Sequence, residues 1–129
     1  MGIISSTANA TVKYVKSLKQ KKFREVNRAF FVEGLRFSME ALQSGWGIQW
    51  VLMTEEFYKE HGKDSVFQSF MQQTLIVTEK ILKELSETEH PQGVLTVVSM
   101  QMTQAPDFIG KRLLLLDCLQ DPGNMGTII

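Results

Sequence analysis

Trp50-Val51-Leu52-Met53-Thr54-Glu55-Glu56 joins a short β-prone run directly to a helix start. Its first four residues are bulky and apolar, as a buried strand requires. Thr54 can accept from the orphan N–H groups of a following helix, and the two glutamates complement the positive end of its dipole. The same alternation continues on both sides. Downstream, Thr74-Leu75-Ile76-Val77 reads as a strand, and Thr78 as the cap of a short helix presenting Ile81, Leu82 and Leu85. Upstream, Phe30-Phe31-Val32 reads as a strand followed by Gly34, after which Leu35, Met39 and Leu42 at i, i+4, i+7 form the stripe of a half-buried helix. Gly45 and Gly47 end that helix. Beyond a break near Gly62, Phe67, Phe70 and Met71 predict a further helical stripe, and Gly93-Val94-Leu95-Thr96-Val97-Val98 is a clear strand. Strands alternating with short helices predict an α/β layered domain on a mainly parallel or mixed sheet.

Nearer the N-terminus, Asn9 can cap a helix in which Val12, Val15 and Leu18 recur at helical spacing while Lys13, Lys16 and Lys19 take other positions. Lys21-Lys22-Phe23-Arg24-Glu25 reads as a turn or as that helix's end. Glu33 and Arg36 are placed for a local ion pair beside Gly34. The spacing predicts a domain over 1–99 and a linker over 100–110, where Met100, Met102, Pro106 and Gly110 lose all periodicity. Residues 111–129 then open a second unit: Arg112-Leu113-Leu114-Leu115-Leu116-Asp117 reads as a strand buried on both faces, running into a turn-rich segment. A doubly buried strand needs neighbours, so 111–129 is expected to be the N-terminal fragment of a further domain.

The whole chain of 129 residues has 14 basic and 14 acidic side chains and no net charge. The balance conceals a division. Residues 1–36 carry eight basic groups against Glu25 and Glu33, a net of +6, so the remainder carries −6. Such asymmetry fits a polyanion-facing end, and equally a solvated lysine-rich helix face. No apolar run is longer than the four residues of Leu113–Leu116, far short of the ~20 needed to span a bilayer. No secretory signal opens the sequence, and one cysteine, Cys118, fits a reducing compartment, so a cytoplasmic protein without membrane attachment is expected. Cys118 reads as a small core residue. His61 and His90 lack partners at ligand spacing, and Asp117 and Asp121 read as turn caps, so no metal site is expected.

Asp121-Pro122-Gly123-Asn124-Met125-Gly126-Thr127 is the most unusual stretch. Proline presets a turn while glycine and asparagine tolerate positive φ, so successive N–H groups are exposed at a strand end, where α/β sheets bind ligands. A plain tight turn, a nucleotide-binding sheet and the G-x-x-G of a KH nucleic-acid loop share parts of this pattern.

Leu116-Asp-Cys-Leu-Gln-Asp-Pro-Gly-Asn-Met-Gly-Thr-Ile-Ile129 resembles the first signature motif of the SpoU (TrmH-type) branch of the SPOUT methyltransferases. Ile4-Ser5-Ser6…Asn9…Val12-Lys13, Phe31-Val32-Glu33-Gly34…Arg36…Glu40-Ala41 and Pro91-Gln92-Gly93 are similar to the substrate-binding domain that precedes the catalytic one in many members. The family commonly has proline where Ala10 stands, and its first motif continues to an arginine that would lie beyond Ile129. The resemblance implies several expectations. The first domain would be a three-layer α-β-α sandwich like the kink-turn-binding ribosomal proteins, and 111–129 would open a knotted α/β methyltransferase domain. The parent protein would be an RNA ribose 2′-O-methyltransferase using S-adenosylmethionine on ribosomal or transfer RNA, homodimeric through that second domain. Asn124 is the catalytic position carried over, with Asp121, Pro122, Gly123, Gly126 and Thr127 shaping its loop. No cofactor-binding residues are expected in this chain, and no methyl transfer from it alone. Structured RNA would be held by Lys13, Lys16, Lys21, Lys22, Arg24 and Arg36. The alternative is a stand-alone, non-catalytic RNA-binding or protein-docking module.

Overall fold

The computed structural model describes residues 2–101, beginning with a two-residue strand β1 (Ile3–Ile4). Asn9 then caps helix α1 (Ala10–Ser17), its side chain accepting from the Thr11 and Val12 N–H groups at 2.9 and 3.2 Å. Val12, Val15 and the following Leu18 are buried, as their spacing predicts. The Lys21–Glu25 stretch corrects the sequence reading. Gln20 is extended, breaking the chain path, and Lys21–Asn27 forms a separate helix, α2. None of its residues is buried, so it carries no apolar stripe by which periodicity could reveal it. Arg28 ends it in the left-handed region at φ 48°.

Strand β2 (Ala29–Glu33) follows, then Gly34 at φ +90° turns the chain into helix α3 (Leu35–Gln43). Strand β3 (Ile48–Thr54) passes directly into helix α4 (Glu55–His61), with the Thr54 hydroxyl accepting from the Phe57 N–H at 3.2 Å. The helical stripe expected at Phe67, Phe70 and Met71 is also corrected. The segment makes only a single turn, α5 (Ser65–Gln68), and a 3-10 turn (Met71–Gln73). Ser69 and Thr74 hydroxyls donate to the Ser65 and Phe70 carbonyls, offering the backbone alternatives to a continued helix. Phe67 is nevertheless buried. Strand β4 (Thr74–Val77), helix α6 (Glu79–Leu85) capped by Thr78, and strand β5 (Val94–Ser99) complete the described elements.

The five strands make one mixed sheet in the order β1-β4-β3-β5-β2. β1, β4 and β3 are parallel, while β5 lies antiparallel between β3 and β2. Alternating side chains feed two cores. On one face Leu52, Val77, Leu95 and Val97 meet Val12, Val15 and Leu18 of the α1 region and Ile81, Leu82 and Leu85 of α6. On the other, Val51, Met53, Ile76 and Val94 meet Leu42 of α3, Phe57 of α4 and Phe67 of α5. β5 is buried from Val94 to Val98 because it is covered on both faces and paired on both edges. Among the described residues, no helix is long and apolar enough to cross a membrane.

Candidate nucleic-acid interface

The basic residues named from the sequence fall into two places. Lys13, Lys16, Lys21, Lys22 and Arg24 belong to α1 and α2, whereas Arg36 lies on α3. At the α1–α2 corner their engagement differs. The Lys16 ammonium donates to the Glu84 carboxylate of α6 at 2.6 Å, and Lys19 donates to the Glu84 backbone carbonyl at 2.9 Å. The Lys16 hydrogen bond and charge hold the Glu84 carboxyl below its ordinary pKa. Arg24 donates through Nη1 to the Leu18 and Lys19 carbonyls, both at 2.9 Å, closing the turn between the helices. Lys13, Lys21 and Lys22 are exposed. Lys21 has only a loose 3.9 Å contact with Glu25, and Lys22 lies 4.9 Å from the centre of the Phe23 ring. Lys16, Lys19 and Arg24 therefore staple the corner internally, while Lys13, Lys21 and Lys22 extend into solvent.

Arg36 does not pair with Glu33. Its partner is Glu40, one helical turn on at 3.5 Å, and it remains largely exposed. Glu33 faces elsewhere: one carboxylate oxygen accepts from the Ser86 hydroxyl and the other from the Glu87 N–H at 2.9 Å. Beside it, a cleft of about 330 Å³ opens between Gly34, Arg36 and Phe37 on one side and Thr88, His90 and Gln92 on the other. Phe37 is 56% exposed. It falls outside the Leu35–Met39–Leu42 stripe, and a large aromatic on the polar side of a helix was the sequence signal that could have singled it out. Thr88 and His90 carried no comparable signal, since only the fold brings the loop after α6 against α3.

A second depression, lined by Leu18, Arg24, Phe30, Phe31 and Glu87, runs beside β2 between the basic corner and this cleft. A larger cavity of about 370 Å³ lies at the ends of β3 and β5, but Glu56, Glu60 and Glu79 outnumber Lys83 around it, which disfavours a polyanion. Among the described residues, no cluster of three or more His, Cys, Asp or Glu side chains could hold a metal ion. Asp121, Pro122, Gly123, Asn124, Gly126 and Thr127 lie outside the described residues, as do most of the expected linker and the whole of 111–129.

Residues 9–96 match the model of the MRM3-like substrate binding domain. Over 98% of its length the chain is 32% identical to the 23S rRNA (guanosine(2553)-2′-O)-methyltransferase RlmP of Bacillus subtilis, covering 48% of that protein. It is 31% identical over 126 residues to the mitochondrial rRNA methyltransferase 3 of Xenopus laevis, covering 29% of it. Among solved structures, an RNA 2′-O ribose methyltransferase superposes with a TM-score of 0.69 at 28% identity, over 98% of this chain and 50% of that one. The SpoU methyltransferase AviRb of Streptomyces viridochromogenes, solved with AdoMet, matches with a TM-score of 0.61 at 25% identity, over 93% of this chain and 47% of its own. The chain thus spans about half the length, or less, of the relatives it matches. Its mixed sheet flanked by helices is that of their N-terminal domain. The chain belongs to the MRM3-like substrate-binding domain family of the SpoU (TrmH-type) RNA methyltransferases.

Proposed function

We propose that this chain is the RNA-holding part of an S-adenosylmethionine-dependent ribosomal or transfer RNA ribose 2′-O-methyltransferase. The observation that carries this reading is the family match over 9–96, which contains the whole basic corner. Two helix layers about one mixed sheet fit the sandwich of kink-turn-binding ribosomal proteins, the finer fold attached to this reading. Lys13, Lys21 and Lys22 extend where phosphates can reach them. Lys16 and Arg24 set the spacing of the corner and contribute field to it. Phosphate contacts fix position rather than sequence, so this surface holds and orients the RNA.

The methyl donor would be held by the part of the relatives that this chain does not cover, and homodimerisation would belong there too. S-adenosylmethionine supplies an activated methyl group when bound. Asn124, as an amide, could orient the ribose or a neighbouring phosphate but cannot accept the hydroxyl proton. The 129-residue chain alone is therefore expected to bind RNA without methylating it.

The test is a salt series on binding of labelled ribosomal RNA fragments. Affinity should fall steeply with salt, and the double change Lys21→Gln, Lys22→Gln should reduce the magnitude of the log–log slope by up to about two. Salt-independent binding, or methyl transfer by the isolated chain, would contradict the reading.

A further inference from the structure

Two segments far apart in sequence, Glu33–Phe37 and Ser86–Gln92, are locked together by side chains that have no other evident task. The Glu33 carboxylate takes the Ser86 hydroxyl on one oxygen and the Glu87 N–H on the other, and Ser86 in turn accepts from the Thr88 N–H at 3.0 Å. Some residues further on, the Gln92 side-chain oxygen accepts from the Leu35 N–H at 2.9 Å. Gly34 makes the second contact possible. Its φ of +90° suits glycine, and a Cβ there would stand 2.9 Å from that same glutamine oxygen. The loop after α6 is thus clamped at both ends against the start of α3.

Between the clamps lies the 330 Å³ cleft. Both oxygens of its carboxylate, Glu33, are turned to the loop, each accepting one hydrogen bond from it. What remains available is a guanidinium (Arg36), an imidazole (His90) and the exposed ring of Phe37. An exposed aromatic face beside a cation is the combination that holds an unpaired base and its phosphate. A fully paired helix cannot offer a base face to such a ring.

We infer that this cleft takes an unstacked nucleotide of the RNA, with Phe37 stacking on the base and Arg36 and His90 meeting its phosphate or base edge. Glu33 and Gln92 act as positioning residues that fix the loop wall of the cleft against the start of α3. The inference rests on the RNA-holding reading and deepens it: the lysines of the α1–α2 corner supply attraction, and the cleft selects RNA that has a base to spare.

Ultraviolet cross-linking of the full chain to fragmented total ribosomal RNA, with the adducts mapped by mass spectrometry, separates the two statements. Nucleotide adducts on Phe37 or His90 are the expected result. Adducts confined to the Lys13–Arg24 segment overturn the cleft and leave the RNA-holding reading intact, whereas none anywhere overturns both. On the same RNA, Phe37→Ala should weaken binding roughly 5- to 100-fold without changing the salt slope, and Phe37→Trp should restore it. Arg36→Gln should lower the slope by about one. For the positioning role, Phe37→Ala is repeated in chains carrying Glu33→Gln or Gln92→Ala. There the ring's contribution should be largely lost already, so the combined effect falls well short of additive. Full additivity in a chain that still melts cooperatively would show that Glu33 and Gln92 stabilise the loop and nothing more.

Discussion

Gly93 stands at φ +94°, with the Thr54 hydroxyl 2.9 Å and the Phe57 Cβ 3.2 Å from where a side chain would begin. Its carbonyl also accepts from the Thr54 N–H at 2.9 Å, so one residue fixes the end of β3 and the first turn of α4. Gly93→Ala should cost roughly 1–3 kcal/mol, read as a lowered urea midpoint with unchanged m-value. Glu84 makes the stability of the fold depend on pH. Because Lys16 holds its carboxyl below the ordinary value of 4.5, the pair stabilises the folded state above that pH. The contribution disappears as pH falls through the depressed folded value. Glu84→Gln should therefore lower the denaturation midpoint at about pH 7, by an amount that shrinks as the pH is taken progressively below 4.5. Caps such as Asn9, Thr54 and Thr78 were readable in the sequence because each acts on N–H groups two or three residues away. Glu33 was not, because its partners Ser86 and Glu87 are neighbours only after folding.

Among the elements, those with an apolar stripe or a β-prone run were legible: α1, α3, α6, β2, β3, β4 and β5 all lie where periodicity placed them. β1 has two residues, too few to form any pattern, and is a strand only because β4 pairs with it. α2 escapes for a different reason. It buries none of its residues and is held at its start by Arg24 bonding back to two carbonyls of the preceding turn. Arg24→Gln should cost roughly 1–2 kcal/mol in chemical denaturation, yet change the salt slope of RNA binding less than Lys21→Gln does. An equal or larger change in slope from Arg24 would assign its guanidinium to the RNA instead. Between α3 and β5, the fully buried Thr96 hydroxyl donates to the Ser38 hydroxyl at 2.9 Å. Thr96→Val should destabilise by roughly 1–3 kcal/mol because it deprives Ser38 of its partner. Adding Ser38→Ala should recover part of that loss, a sign of coupling that a double-mutant cycle in thermal melts will show.

At the scale of the whole molecule, the neutral total charge misdescribes the surface that RNA would meet. The basic excess of residues 1–36 is gathered on α1, α2 and the start of α3, while Glu56, Glu60 and Glu79 line the cavity at the ends of β3 and β5. The charge asymmetry was visible by counting, but its division into a stapled corner and a separate clamped cleft depended on topology. That topology also has a bearing on synthesis. β5, the last described strand, is inserted between β3 and β2, so Ala29–Glu33 have no sheet partner until Leu95–Ser99 arrive. A chain emerging from the ribosome can assemble β1, β3 and β4 in the order they appear, but the β2 edge must wait, Phe30 and Phe31 without their sheet partners, for the closing strand. A chain ending at residue 92 should accordingly fail to fold cooperatively and should be digested rapidly by protease from β2 onward, whereas the full chain resists. If the basic corner and the cleft hold RNA as proposed, that capacity is acquired only once β5 has been made.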